Sequence, residues 1–263
     1  MLKQLINGFF PIAMSTSSLK NRHENEREHG RKIAENADKV WGQETRAGRI
    51  RVQGRANSIV KATGMGQNMN VLDLGCGTGN YTTLFADTNA NVTGIDLSED
   101  LLQIAKQRVP SAKFLCTDAE SLESIESGSM DCVVGNAVLH HFDVSLALRS
   151  MLRVLKPGGA IGFTEPNMLN PQIALQKNIP FLKKLLGDSP DETAFIRFKF
   201  IKTLKDAGFE EIKIIPFDFL HPWTPGFLVT PVRAISSALE RIPVVQEIAG
   251  SLLISARKPD AEK

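Results

Sequence analysis

The run VLDLGCGTGNY at 71–81 constrains the fold more than any other part of the chain. Apolar residues lead into three glycines at alternate positions, Gly75, Gly77 and Gly79, and a helix-compatible stretch begins directly afterwards. A strand that ends in such a loop and opens into a helix is a device for holding a nucleotide-like ligand. Glycines allow the tight turn and the close backbone approach, and unpaired N–H groups at the helix start attract a carboxylate or phosphate. The spacing discriminates among ligands. A dinucleotide fingerprint, G-x-G-x-x-G, needs glycine at position 80, where Asn80 stands, so a nicotinamide oxidoreductase is disfavoured.

Short apolar runs and helical patterns alternate after this loop, as they do in α/β folds with a mainly parallel sheet. Strands are expected at 71–74, 92–95, 113–116, 131–134, 160–164, 211–217 and 252–256, apolar enough to be covered on both faces. Ser98 and Asp143 are placed to cap helices running to about 109 and 155, with Lys156, Pro157, Gly158 and Gly159 stopping the second. A further helix covers 197–207, closed by Gly208. Two long stretches, about 165–194 and 220–250, interrupt the later third and read as lid-like insertions that carry acceptor specificity. Within the first, 173–186 has an amphipathic helical pattern broken by Pro180, with Lys177, Lys183 and Lys184 outward, and Asp188, Asp191 and Glu192 form an acidic run. His221, Trp223 and Phe227 give the second an aromatic character, as lid core or as a stacking surface.

Acidic residues follow the second and third strands. Asp96, about twenty residues beyond the loop, suits both hydroxyls of a ribose. Asp118 suits the exocyclic amine of an adenine, or else caps a following helix. Three strand ends thus address an amino-acid carboxylate, a ribose and an adenine, the parts of S-adenosylmethionine.

The segments 71–81, 94–98, 116–119, 131–142 and 155–164 resemble the successive motifs of the class I (Rossmann-like) S-adenosylmethionine-dependent methyltransferases, in the branch that includes the ubiquinone-biosynthesis type. The resemblance covers roughly 70–164 and the final strands. It implies a doubly wound seven-stranded α/β sheet, mainly parallel with the last strand antiparallel, and S-adenosylmethionine as cofactor. It also implies that Asp73 and the loop residues Gly75, Cys76, Gly77, Gly79 and Asn80 hold the methionine end, Asp96 with Leu97 the ribose, and Asp118 with Ala119 the adenine; Asn136, in the fourth motif, joins this set.

Methyl transfer is an in-line displacement, so alignment and exclusion of water carry much of the catalysis. Where the acceptor must lose a proton, the candidate bases at strand ends are His140, His141 and Glu165, with Asn167 nearby. A histidine in this phrase either takes the proton or packs beneath the cofactor. Glu165 precedes Pro166, which disfavours helical geometry and would aim its carboxylate at the pocket. The five histidines show no ligand spacing with cysteines or paired carboxylates, so no metal is expected.

The bulk numbers narrow the remaining classes. Among 263 residues the net charge is only +2, too small for a phosphate-coating surface, so nucleic acid is not the expected partner. The charged, helix-prone segment 21–61 is the one support for an RNA methyltransferase. Three cysteines, none in a C-x-x-C spacing, fit a reducing cytoplasm. No stretch approaches a membrane span, and the short apolar run before Met14 lacks a cleavage site. The expected organisation is an N-terminal extension and helical cap at 1–61 and a methyltransferase domain at 62–263. The expected reaction is methylation of a small-molecule acceptor, apolar or sugar-containing, at oxygen; an RNA methyltransferase or a non-catalytic cofactor-binding partner subunit are the rivals. Oligomeric state is not legible.

Overall fold

A computed structural model describes residues 16–179, 181 and 194–261, with side chains from Arg22 onward. The expected strands pair into one sheet: β1 (Asn70–Leu74), β2 (Asn91–Asp96), β3 (Lys113–Cys116), β4 (Met130–Asn136), β5 (Leu155–Pro166), β6 (Glu210–Phe217) and β7 (Ser251–Arg257), in the order β3-β2-β1-β4-β5-β7-β6. β1 to β5 pair in parallel, and β7 runs antiparallel to both β5 and β6, so the last strand has the direction the resemblance implied. The chain moves outward from β1 to β3 and then returns to place β4 on the other side of β1. Such a switch point leaves a crevice at the carboxyl ends of the two central strands.

Helices cover both faces. Leu72, Leu74, Val133, Ile161 and Phe163 pack against α6 (Val144–Val154) and α8 (Arg197–Ala207). On the opposite face Val71, Cys132, Val134 and Ala160 meet α3 (Arg46–Thr63) and α4 (Asn80–Ala86). α3 lies so close to β5 that a Cβ on Gly162 would sit 2.5 Å from the Thr63 methyl. The edge strand β3 is mostly exposed, contrary to the expectation that every strand is covered on both faces.

Ser98 and Asp143 cap α5 (Glu99–Arg108) and α6 by accepting the N–H groups of Leu101, and of Ser145 and Leu146. The end of α6 differs from expectation. Leu155 is already strand, paired with Met130, and 156–159 lie between that pair and the next, Cys132 with Ala160. Gly158, at φ 71°, turns the chain within the strand rather than before it, so β5 begins five residues earlier than 160.

The remaining elements surround the carboxyl ends. α1 (Thr16–Ile33) and α2 (Ala37–Val40) precede α3; α7 (Pro171–Asn178), capped by Asn170, opens the first insertion; α9 (Val229–Leu239) and α10 (Pro243–Gln246) occupy the second. The expected helix over 173–186 is thus α7 as far as Asn178, while Lys183, Lys184 and the acidic run at 188–192 lie outside the described residues. Among the described residues no helix is long and apolar enough to cross a membrane.

Candidate active site

The crevice at the switch point is a cavity of about 450 Å³, roofed by α1 to α3 and by the two insertions. Gly75 and Gly77 both adopt left-handed backbone, φ 59° and 52°. A side chain at Gly77 would reach within 3.0 Å of the Trp41 ring, and one at Gly75 within 2.2 Å of a Val138 methyl. The loop therefore presents bare backbone to the cavity, a cradle that fits the methionine end of S-adenosylmethionine.

Gly75, Cys76, Gly77 and Asn80 line the cavity from β1 and α4, and Asp96 with Leu97 from the end of β2. Asp118 and Ala119 line it from the end of β3, and Asn136, His140 and His141 from the segment after β4. Asp96 accepts the N–H of Gly77 (3.0 Å) on one oxygen and of Ser98 (2.9 Å) on the other. Each oxygen retains a lone pair for a hydroxyl. Burial pushes this carboxyl up, against the pull of those N–H groups. Burial likewise pushes the Cys76 thiol up, so it stays protonated. Asp118 accepts Glu120 N–H (3.0 Å), Ser121 N–H (2.7 Å) and the Ser121 hydroxyl (2.9 Å), so at the cavity edge it caps a turn and not the expected helix, since among the described residues no helix lies between β3 and β4.

Three expected site residues stand behind the wall. Asp73 is buried under the loop and accepts the Thr82 hydroxyl at 2.7 Å. Burial raises its carboxyl to about 7, with Thr82 opposing. Gly79 packs on Ala105 of α5, where a Cβ would come within 3.2 Å. Glu165 does not aim into the pocket. It is buried, accepts the N–H groups of Val138 and Leu139 at 2.8 Å each on one oxygen, and meets His140 Nδ1 at 2.7 Å with the other. The turn after β4, where Ala137 is left-handed at φ 50°, needs those carboxylate bonds to hold its N–H groups. Asn167 is also structural, donating to the carbonyls of Glu247 (2.9 Å) and Ala249 (2.8 Å).

Residues that the sequence did not single out complete the enclosure. Glu120 is buried and receives Arg22, His23 and the N–H of Asp143, which latches α1 beside the β3 end of the cavity. Thr78 and Arg108 both bind Asp38, at 2.6 and 2.7 Å, and fasten the residues around α2 to the glycine loop. His141 Nδ1 lies 3.2 Å from Glu26 of α1. On the opposite wall, Arg51 and Arg55 of α3 converge on Asp218 at 2.9 and 3.0 Å, and Arg55 also donates to Asn136 (3.2 Å) and Ser251. Burial would raise the Asp218 carboxyl, but the two guanidinium groups outweigh it and hold it below the usual range. Tyr81, Arg51 and Lys177 line this side together with Pro166 and Pro222. No sequence signal marks Glu120 or Asp218, whose partners lie 98 and 163 residues away.

Known proteins agree with this architecture. The sequence pattern of the family described as "Methyltransferase domain" matches residues 72–163. A demethylmenaquinone methyltransferase of Staphylococcus aureus is 31% identical over 171 residues, spanning 59% of this chain and 68% of that one. Among solved structures, the N-methyltransferase NodS from Bradyrhizobium japonicum, in complex with S-adenosyl-L-homocysteine, superposes with a TM-score of 0.61 at 17% identity, covering 90% of this chain and 100% of that one. A SAM-dependent methyltransferase from Archaeoglobus fulgidus gives 0.59 at 19% identity, covering 82% and 97%. At such identities these two likenesses speak for the fold alone, whereas sequence match, strand order and glycine loop coincide in one conclusion: the chain belongs to the class I, Rossmann-like S-adenosylmethionine-dependent methyltransferases.

Proposed function

We propose that this enzyme methylates an oxygen of a small-molecule acceptor, with His140 as the base and Glu165 as the residue that orients it. The observation that carries this reading is the 2.7 Å contact between His140 Nδ1 and the buried Glu165 carboxylate, at a histidine that lines the same cavity as the glycine loop and Asp96. A carboxylate on Nδ1 fixes the proton there and leaves Nε2 as the acceptor, the logic by which an acid orients a catalytic imidazole. Glu165 is itself fixed by two backbone N–H groups, so the ring is held at both ends of the contact. His141, turned to Glu26, is assigned to the cap.

When bound, S-adenosylmethionine would supply a methyl group on a sulfonium, which a nucleophile takes in line as the carbon–sulfur bond breaks and S-adenosylhomocysteine is left. In this reading the 75–80 loop with Asn136 receives the methionine end, Asp73 supports that loop from below, Asp96 with Leu97 receives the ribose, and Asp118 with Ala119 the adenine. The acceptor lies against Tyr81, Arg51 and Lys177, under Pro166 and Pro222. His140 takes the hydroxyl proton as the oxygen attacks. Residues 1–61 act as the cap and 62–263 as the methyltransferase domain, with α3 the part of the cap that is anchored to the sheet.

A second reading has one support. The 31% identical relative is named a demethylmenaquinone methyltransferase, which favours a quinol-like ring that loses the same hydroxyl proton and is methylated at carbon. Incubation with methyl-labelled S-adenosylmethionine and a panel of phenols, glycosides and naphthoquinols, with the label located by NMR, separates the two. An O-methyl product is expected. A ring-methyl product replaces the first reading by the second, and label found on RNA alone overturns both.

A further inference from the structure

α9 buries Val229 and Ser236 and packs Val232 beside Ala47 and Leu220. Ile235, 58% exposed, is the large apolar side chain it turns to water, and Ile242, 48% exposed, lies just past its end. These two do not stand alone. Phe227, 79% exposed, precedes the helix and Val244, 82% exposed, follows it. Ile248 and Leu169 extend the surface to the first insertion, since Asn170 donates to the Ile248 carbonyl at 2.8 Å.

The charges beside this surface have one sign. Arg233 and Arg241 are exposed, and among the described residues neither has an ion-pair or hydrogen-bond partner for its side chain. The acids of the same segment are turned away: Glu240 accepts from Asp218 N–H and the Ser236 hydroxyl, and Glu247 pairs with Arg197 at 2.9 Å. A segment that offers water several large apolar side chains together with unneutralised arginines has the chemistry of one lying at a lipid–water interface.

We propose that α9 and the residues flanking it rest on an anionic lipid bilayer, with Phe227, Ile235, Ile242 and Val244 at the acyl boundary and Arg233 and Arg241 at the headgroup phosphates. The placement has a consequence for the cavity. Pro222, at the start of the same segment, is part of the cavity wall, and the carbonyl of Pro222 is bound by the Thr45 hydroxyl at 2.6 Å. The interfacial surface therefore adjoins the acceptor side, and an apolar acceptor can pass from lipid into the site without crossing water. The proposal does not depend on His140 or on where the methyl group goes.

Cosedimentation of the full chain with vesicles tests it without any acceptor. Vesicles of phosphatidylcholine containing phosphatidylglycerol should retain the protein, more weakly as salt rises. Replacing Phe227, Ile235 and Val244 together by Ser should weaken binding by about tenfold or more. Arg233→Gln with Arg241→Gln should weaken it about fivefold per arginine on anionic vesicles and leave binding to phosphatidylcholine alone unchanged. Unchanged affinity for S-adenosylhomocysteine verifies the fold of each variant, and the arginine pair decides the matter if the apolar triple variant does not fold. Failure of the parent chain to sediment, or equal binding by the variants, overturns the proposal. So does a dimer in light scattering that the same apolar substitutions dissociate, which would assign the surface to a second copy of the chain.

Discussion

The two sides of the cavity are built on different principles. The cofactor side is made of strand ends and backbone: the glycine loop, Asp96 nineteen residues on from Gly77, and Asp118 after β3, all within one stretch of alternating strands and helices. The side proposed for the acceptor is made of side chains from α3, the first insertion and the second insertion, held by ion pairs such as Arg51 and Arg55 with Asp218. The first can be read along the chain because its geometry is local. The second exists only after distant segments have met, and so identical cofactor chemistry can be joined to any acceptor wall.

Substitutions can break this division, taken here in order of their expected effect on methyl transfer. His140→Ala should reduce kcat by about 10²–10⁴-fold while affinity for S-adenosylhomocysteine changes little. Glu165→Gln should fall between that variant and the parent, because the orienting acceptor is altered. Turnover that survives His140→Ala would return this histidine to a packing role. Asp96→Ala should weaken S-adenosylhomocysteine binding by about tenfold to a hundredfold, the worth of hydrogen bonds to a charged group; calorimetry that finds parent-like affinity removes Asp96 from the ribose site.

Glu120→Ala tests the cap. It removes the buried carboxylate that receives Arg22, His23 and the Asp143 N–H, a change that costs about 3–5 kcal/mol in comparable buried pairs. Amide exchange should rise in α1 and stay low in β1 and β4. Uniform exchange across the molecule would show that the latch is part of the global fold instead. Asp73→Asn should touch transfer least and stability most visibly. With its carboxyl at about 7 in the fold, Asp73 keeps its proton where the unfolded chain has lost it. The parent therefore loses stability from this group as pH rises from about 4 to about 7, and below that window the contribution is whole. The variant lacks that slope. Denaturant titrations at several pH values that run parallel for the two proteins would contradict it.

The legible part of the molecule follows the same division. Seven strands were readable because each is a short apolar run between turn signals, and Ser98 and Asp143 were readable as caps because capping is decided within three residues. β5 begins five residues before the expected 160 because Pro157, Gly158 and Gly159 carry the chemistry of a chain break while the ladder pairs residues on both sides of them. Glu165 departs from expectation for a related reason. Its neighbour Pro166 fixes the backbone, but the direction of the carboxylate is set by the N–H groups of Val138 and Leu139, 27 and 26 residues earlier. Asn167 likewise answers to carbonyls beyond 246, which no local pattern announces.

Arg55 puts a clock on the site. Its guanidinium joins the end of β4, the turn after β6 and the first residue of β7, partners 81, 163 and 196 residues further along the chain. A growing polypeptide can pair β1 with β2 and β2 with β3 early, because those contacts close short loops, yet the wall that Arg55 braces waits for the last strand to be inserted. Synthesis from the amino end thus delivers the cradle for the methyl donor well before the compartment for the acceptor.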